Sequence, residues 1–186
     1  MIYESSPWKQ ELKRRVKQIG KYNTVIRFDN KFDATYIIME KNLMFSAFAT
    51  RKLIECEKLS DSADSYSFPI KAYRPLKPVD RMHRWPDEDT HDWNHPIRLT
   101  ALGKNICNWL IHSYIFCLLF EENGPVTGLY VSSDYDRNKY LYEIELKSWL
   151  DYLNYVAEDN VVAMESHYDD NKHDYIVIRK ERGDYL

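Results

Sequence analysis

The stretch from Met82 to His95 holds His83, His91 and His95 together with Asp87, Glu88, Asp89 and Asp92. Imidazole nitrogen and carboxylate oxygen are the ligands of zinc, manganese and iron sites, so this stretch is where a divalent transition metal would bind. His91, His95 and Asp92 are the first ligand set to expect. Two features argue against it. His-x3-His brings two rings together chiefly on a helix, and Asn94 with Pro96 favours irregular backbone here. A polar surface segment, with Asp and Asn closing turns on their own backbone, accounts for the same residues. No cofactor is therefore expected, with a divalent metal as the alternative.

Just before this stretch, Lys71, Tyr73, Arg74, Lys77, Arg81, His83, Arg84 and Trp85 interleave cations with rings. That is the composition of a single-stranded nucleic-acid surface, where cations meet phosphate and ring faces stack on bases. On this reading Lys71, Arg74, Lys77, Arg81 and Arg84 hold the strand. His83, His91 and His95 would then supply the chemistry of a metal-assisted nuclease. The chain as a whole opposes it. Net charge is −3, and the acidic 87–92 run lies close enough to neutralise the patch by folding back on it.

The third group is Asn108 and His112, four residues apart and so on one face of a helix. A neutral-range imidazole oriented by an amide is a candidate general base. Two buried polar groups satisfying backbone ends, where helix gives way to strand, are the plainer account. No other catalytic signature is present. Glycines stand only at 20, 103, 124, 128 and 183, too scattered for a phosphate-binding loop. His-Glu-x-x-His, Gly-x-Ser-x-Gly, Cys-x-x-Cys and the EF-hand loop are all absent. The sequence leans away from an enzyme.

These groups must be positioned by the elements around them. Ser6-Pro7 opens a helix with an apolar stripe of Trp8, Leu12, Val16 and Ile19, its other faces carrying Lys9, Lys13, Arg14, Arg15, Lys17 and Lys21. A second helix is expected from a cap at Asp33 to about Leu59, pairing antiparallel with the first. Residues 60–98 lose periodicity under repeated prolines and read as one long loop, yet Tyr66, Phe68, Ile70, Tyr73, Leu76, Val79, Met82, Trp85 and Trp93 run through it. From Thr100 the pattern is a short helix, followed by the apolar run Tyr114–Phe120, which reads as the buried central strand of a sheet. Strands are then expected around Gly128–Ser132 and Tyr140–Leu146, a helix capped by Ser148, and strands at Val161–Tyr168 and Asp174–Arg179. Turn chemistry accounts for Asp134, Asp136, Asp169, Asp170 and Asp174, and cross-strand pairing for His167 and His173.

The resulting class is α+β in one domain, 1–186. It comprises a helical pair (1–59), a long aromatic-rich loop (60–98), and a five-stranded, mostly antiparallel sheet with two further helices (99–186). The order after the preceding helix is β-β-β-α-β-β. No apolar run approaches a membrane span, and the N-terminal residues carry no apolar signal core. With an odd cysteine count, of which Cys107 and Cys117 lie among apolar residues, a cytoplasmic protein with reduced thiols is expected. Fifteen tyrosines and five tryptophans exceed what a core of this size calls for, which favours an interface. The functional expectation is a protein-interaction module of inhibitor, immunity or accessory type that meets another protein or itself. It would use the 66–95 segment, with Tyr73, Trp85 and Trp93 as contact residues. The alternative is the nucleic-acid binder or nuclease described above.

Overall fold

A computed structural model of the chain describes residues 2–122 and 124–183. Pro7 in its first turn and the Trp8, Leu12, Val16, Ile19 stripe build α1 (Ser6–Tyr22), which buries Leu12 and Ile19 completely. A tight turn at Asn23 and Thr24 reverses the chain into α2 (Val25–Glu55). The Trp8 ring at the start of α1 meets Phe48 near the end of α2, centroids 6.3 Å apart, so the pair is antiparallel as expected. Helix α2 starts earlier than Asp33. It absorbs the residues before it through a kink at Lys31, whose backbone leaves helical geometry.

The class is α+β, with helices preceding a five-stranded antiparallel sheet, but the strand Ser67–Tyr73 comes from the segment read as loop and the strand Ile97–Leu102 from the end of that segment and the residues after it. After the short α3 (Asp61–Asp64), β1 (Ser67–Tyr73) pairs with β2 (Ile97–Leu102). Helix α4 (Gly103–Ile111) leads into β3 (Ser113–Phe120), β4 (Val126–Ser133), β5 (Leu141–Glu145) and α5 (Leu146–Ala157). Sheet order is β2-β1-β5-β4-β3. Pro69 is tolerated inside β1 because β5 pairs only with Lys71 to Tyr73. Residues 100–102, expected to open a helix, are the end of β2. The helix starts at Gly103, where a Cβ would lie 2.1 Å from Cζ of the buried Tyr152. Strand β3 is at the sheet edge, not its centre; β5 is central.

Strand β6 (Val161–Asp169) and β7 (Asp174–Arg182) form a separate hairpin. Its base is fixed by polar contacts. The Lys180 amide donates to Asp61 Oδ2 at 3.0 Å, and the Lys180 ammonium reaches both Glu57 and Asp64. Alongside, Asp159 accepts from the Ser60 amide (2.8 Å) and hydroxyl (2.5 Å), and its carbonyl takes the Lys9 ammonium at 2.6 Å. Lys9, expected on the solvated face of α1, is thereby buried. Among the described residues no helix is long and apolar enough to cross a membrane.

The helices cover one face of the sheet. Phe68, Ile70, Ala72, Leu118, Leu129, Val131, Tyr142 and Ile144 point into them and join Met39, Leu43, Ile106, Leu110, Trp149 and Leu153 in the main core. Replacing Lys180 with alanine strips the partly buried Asp64 of its cation, and should cost about 3 kcal/mol. Urea unfolding measures that loss. Limited proteolysis should cut β6–β7 first in K180A, whereas unchanged cleavage would mean that the hairpin is held by something else.

Candidate functional site

The opposite face of the sheet carries Tyr73, Ile115, Cys117, Tyr130 and Leu141, a second apolar surface too large to leave wet. The chain between β1 and β2 covers it. Val79 and Trp93 from that segment pack into this cluster. The Trp93 ring lies 5.0 Å from Tyr73 and 5.3 Å from Tyr130, and the two tyrosines meet edge to face at 5.9 Å. Tyr73 then donates its phenol hydrogen to Glu143 Oε2 at 2.5 Å, and Lys71 donates to Oε1 of the same carboxylate at 2.7 Å. Burial and the Glu143 carboxylate push the Tyr73 phenol up, so it remains a donor. Tyr73 is thus only 6% exposed and Trp93 half-buried, which leaves Trp85 as the exposed member of the expected contact trio.

The covering segment is irregular but stitched. Leu76 N–H donates to the Thr90 carbonyl (2.8 Å) and Asp92 N–H to the Arg74 carbonyl (2.9 Å), around an isolated bridge between Pro75 and His91. Val79 N–H reaches Asn138 Oδ1 in the β4–β5 turn at 2.8 Å. The Trp93 indole donates to the Asp87 carbonyl at 3.0 Å. Asp80 closes the outer turn by accepting from the Met82 and His83 amides, the Asx geometry the sequence suggests. Among the charged residues this framework holds outward are three large apolar ones: Leu76 is 64% exposed, Met82 84% and Trp85 59%.

Of the expected metal ligands, His95 and Asp92 are brought together and His91 is held apart from them. His95 is on the surface, its Nδ1 2.9 Å from Asp92 Oδ1. The His91 ring is buried beside Trp93, centroids 5.3 Å apart. Thr90 uses its hydroxyl hydrogen on the Asp87 carbonyl (2.7 Å), so its oxygen accepts from His91 Nδ1–H (2.9 Å). His91 is therefore the Nδ1-protonated tautomer, with Nε2 a buried acceptor lacking a partner among the described residues. His83 pairs with Asp80. Among the described residues no three His, Cys, Asp or Glu side chains are grouped to hold a metal.

The cationic set is divided. Lys71 is engaged by Glu143 and Lys77 by Asp89, so the acidic run does fold back. Arg74 and Arg81 are exposed, and Arg84 lies over the Trp85 ring, 5.9 Å to the centroid.

Asn108 and His112 do share a face of α4, on a broad groove of about 750 Å³ that also takes in Arg51, Asn105 and Asp134. They are joined through backbone: His112 N–H donates to the Asn108 carbonyl at 3.0 Å, and the His112 carbonyl accepts from Asp134 N–H at 3.2 Å. No side-chain bond between the two orients the imidazole. The ordered part of this groove is its wall, where Trp109 stacks on Tyr142 at 3.7 Å and donates to Asp136 Oδ2 at 3.1 Å.

One feature lay outside the sequence reading. The edge strand β3 and the tip of the covering segment enclose a slot of about 220 Å³, lined by Ser113 to Cys117, Arg84, Trp85 and, from α2, Glu40. The Cys117 thiol beside it is pushed up to about 11 by burial, which favours the protonated thiol at neutral pH.

Burial alone holds the His91 imidazole below its ordinary value near 6.5. The folded state therefore favours the neutral ring, and the unfolded chain binds the extra proton. This contribution is fully present above the unfolded value and is lost as pH falls towards the depressed folded value. Urea midpoints should fall between pH 7.5 and 5.5 by more in the wild type than in His91→Gln; equal falls would show that the ring does not titrate against folding.

No protein family, no curated protein and no solved structure matches the chain in sequence or fold.

Proposed function

We propose that the protein is an interaction module that holds a protein partner on the outer rim of the 74–96 segment, around Leu76, Met82 and Trp85. The observation that carries this reading is the contrast within the segment. Its backbone is fixed to the sheet by the packing of Trp93 and Val79 and by the Val79 to Asn138 hydrogen bond, yet its tip exposes a tryptophan and a methionine beside Arg84. Trp, Met and Arg are enriched at interface centres, and a surface ordered beforehand loses little entropy on binding. Tyr73 and Trp93 support the surface from beneath. An inhibitor, immunity or accessory role suits a small protein that presents one rigid patch.

The nucleic-acid alternative has less to stand on, because Lys71 and Lys77 are already paired, and among the described residues Arg74, Arg81 and Arg84 of the cationic set face solvent without an acidic partner. We place the protein in the cytoplasm, where three free cysteines, Cys56, Cys107 and Cys117, stay reduced.

A photo-crosslinking amino acid at position 81, beside the tip, tests the reading in the native cell. One partner, or a second copy of the chain, should be captured, and its affinity for the purified protein should fall by about 2 kcal/mol, roughly thirtyfold, in Trp85→Ala. An affinity unchanged in Trp85→Ala, or single-stranded oligonucleotide binding that weakens steeply with salt, would overturn it.

A further inference from the structure

The slot beside Trp85 has a backbone along its floor. Five consecutive residues of β3, Ser113 to Cys117, line it. A groove on a sheet face is lined by alternate residues, so consecutive lining places this one along the strand edge. The edge has a defined hydrogen-bonding phase. Leu118 N–H donates to the Tyr36 hydroxyl at 3.3 Å, so this amide points away from β4. Register is unbroken from Ile115 to Leu119, facing Ser132 to Gly128, and the irregularities fall outside it. Backbone groups alternate direction along a strand, so Phe116 N–H and C=O also point outward, into the slot. Tyr36 thus caps one outward amide of the edge, and one helical turn further on α2 Glu40 bounds the space in front of the next.

Edge strands are ordinarily shielded, since their free amides and carbonyls pair with any extended chain. Here α2 lies on one side and Arg84 and Trp85 on the other, with the edge open between them. We infer that the partner enters this slot as an extended peptide segment, which pairs with β3 through Phe116 and places an apolar side chain under Trp85. This rests on the reading of the 74–96 tip as a contact surface and adds what the contact takes: main-chain recognition of a strand, with Glu40 and Arg84 setting opposite charge preferences at the two walls. The Tyr36 cap limits the pairing to the N-terminal half of β3.

The probe is a linear peptide selected from a random display library on the full-length protein. A selected peptide should slow amide exchange at Phe116, measured by NMR. Methylating its backbone nitrogens one at a time should weaken binding by about tenfold or more at alternate positions and leave the intervening ones unaffected, the period of a strand. Glu40→Trp, which fills the slot from α2 and leaves the tip's own residues unchanged, should abolish binding; the exchange measurement on the wild type stands if that variant folds poorly. Failure to select any peptide, or selected peptides that leave Phe116 exchange unchanged and show no alternating sensitivity, would overturn the inference. Peptides of that second kind that still require Trp85 would leave the tip as a contact surface and remove only strand pairing.

Discussion

The five-stranded sheet is apolar over one face and over the part of the other that holds Tyr73, Ile115, Tyr130 and Leu141, and the rest of the structure follows from covering both surfaces. Burying one face took four helices, with Trp149 and Tyr152 of α5 and Leu43 and Met39 of α2 among the largest side chains removed from water. The other face, around Tyr73, Ile115, Tyr130 and Leu141, had no helix left to cover it. An irregular segment does so instead, which makes the molecule three layers rather than two. A covering layer without regular structure must satisfy its backbone piece by piece. The bonds from Leu76 to Thr90, Asp92 to Arg74 and Val79 to Asn138 do this.

That division of labour explains why the same segment has buried and exposed aromatic residues. Trp93 closes the apolar face and its indole nitrogen is bonded within the segment. Trp85 pairs with no other ring among the described residues; the Arg84 guanidinium lies 5.9 Å from its centroid. The polar residues divide in the same way: Thr90, Asp87 and Asp80 tie the turns, whereas His95 and Asp92 pair at the surface. The histidines and carboxylates that suggested a metal in one dimension are dispersed in three by these separate bonds.

Much of the fold was legible in the residues, and what was not has particular causes. The stripe Trp8, Leu12, Val16, Ile19 and the alternation from Tyr140 to Leu146 each reflect one buried face, which periodicity reports directly. β1 was hidden by Pro69, whose missing amide matters only if a neighbouring strand needs it, and that depends on where β5 stops. β3 reads as a central strand in the sequence because continuous apolarity records cover on both faces. It says nothing of whether both edges are paired, which the hydrogen-bond direction alone decides. The burial of Lys9 depends on a carbonyl at Asp159, remote in sequence. Asn108 and His112 were placed on one face correctly, but spacing does not reveal that their only bond is between backbones. The slot at Phe116 was illegible for the same reason as the edge itself.

The central claim is that residues 74–96 form a fixed layer on the sheet rather than a tether, and amide hydrogen exchange across the segment tests it most directly. Leu76, Val79 and Asp92, whose amides are bonded across the layer, should exchange as slowly as the paired amides of β1, while Arg81 and Arg84 at the tip exchange freely. Uniformly fast exchange from 74 to 96 would contradict the account, because a segment that leaves the sheet so readily could not hold Trp85 in a defined place.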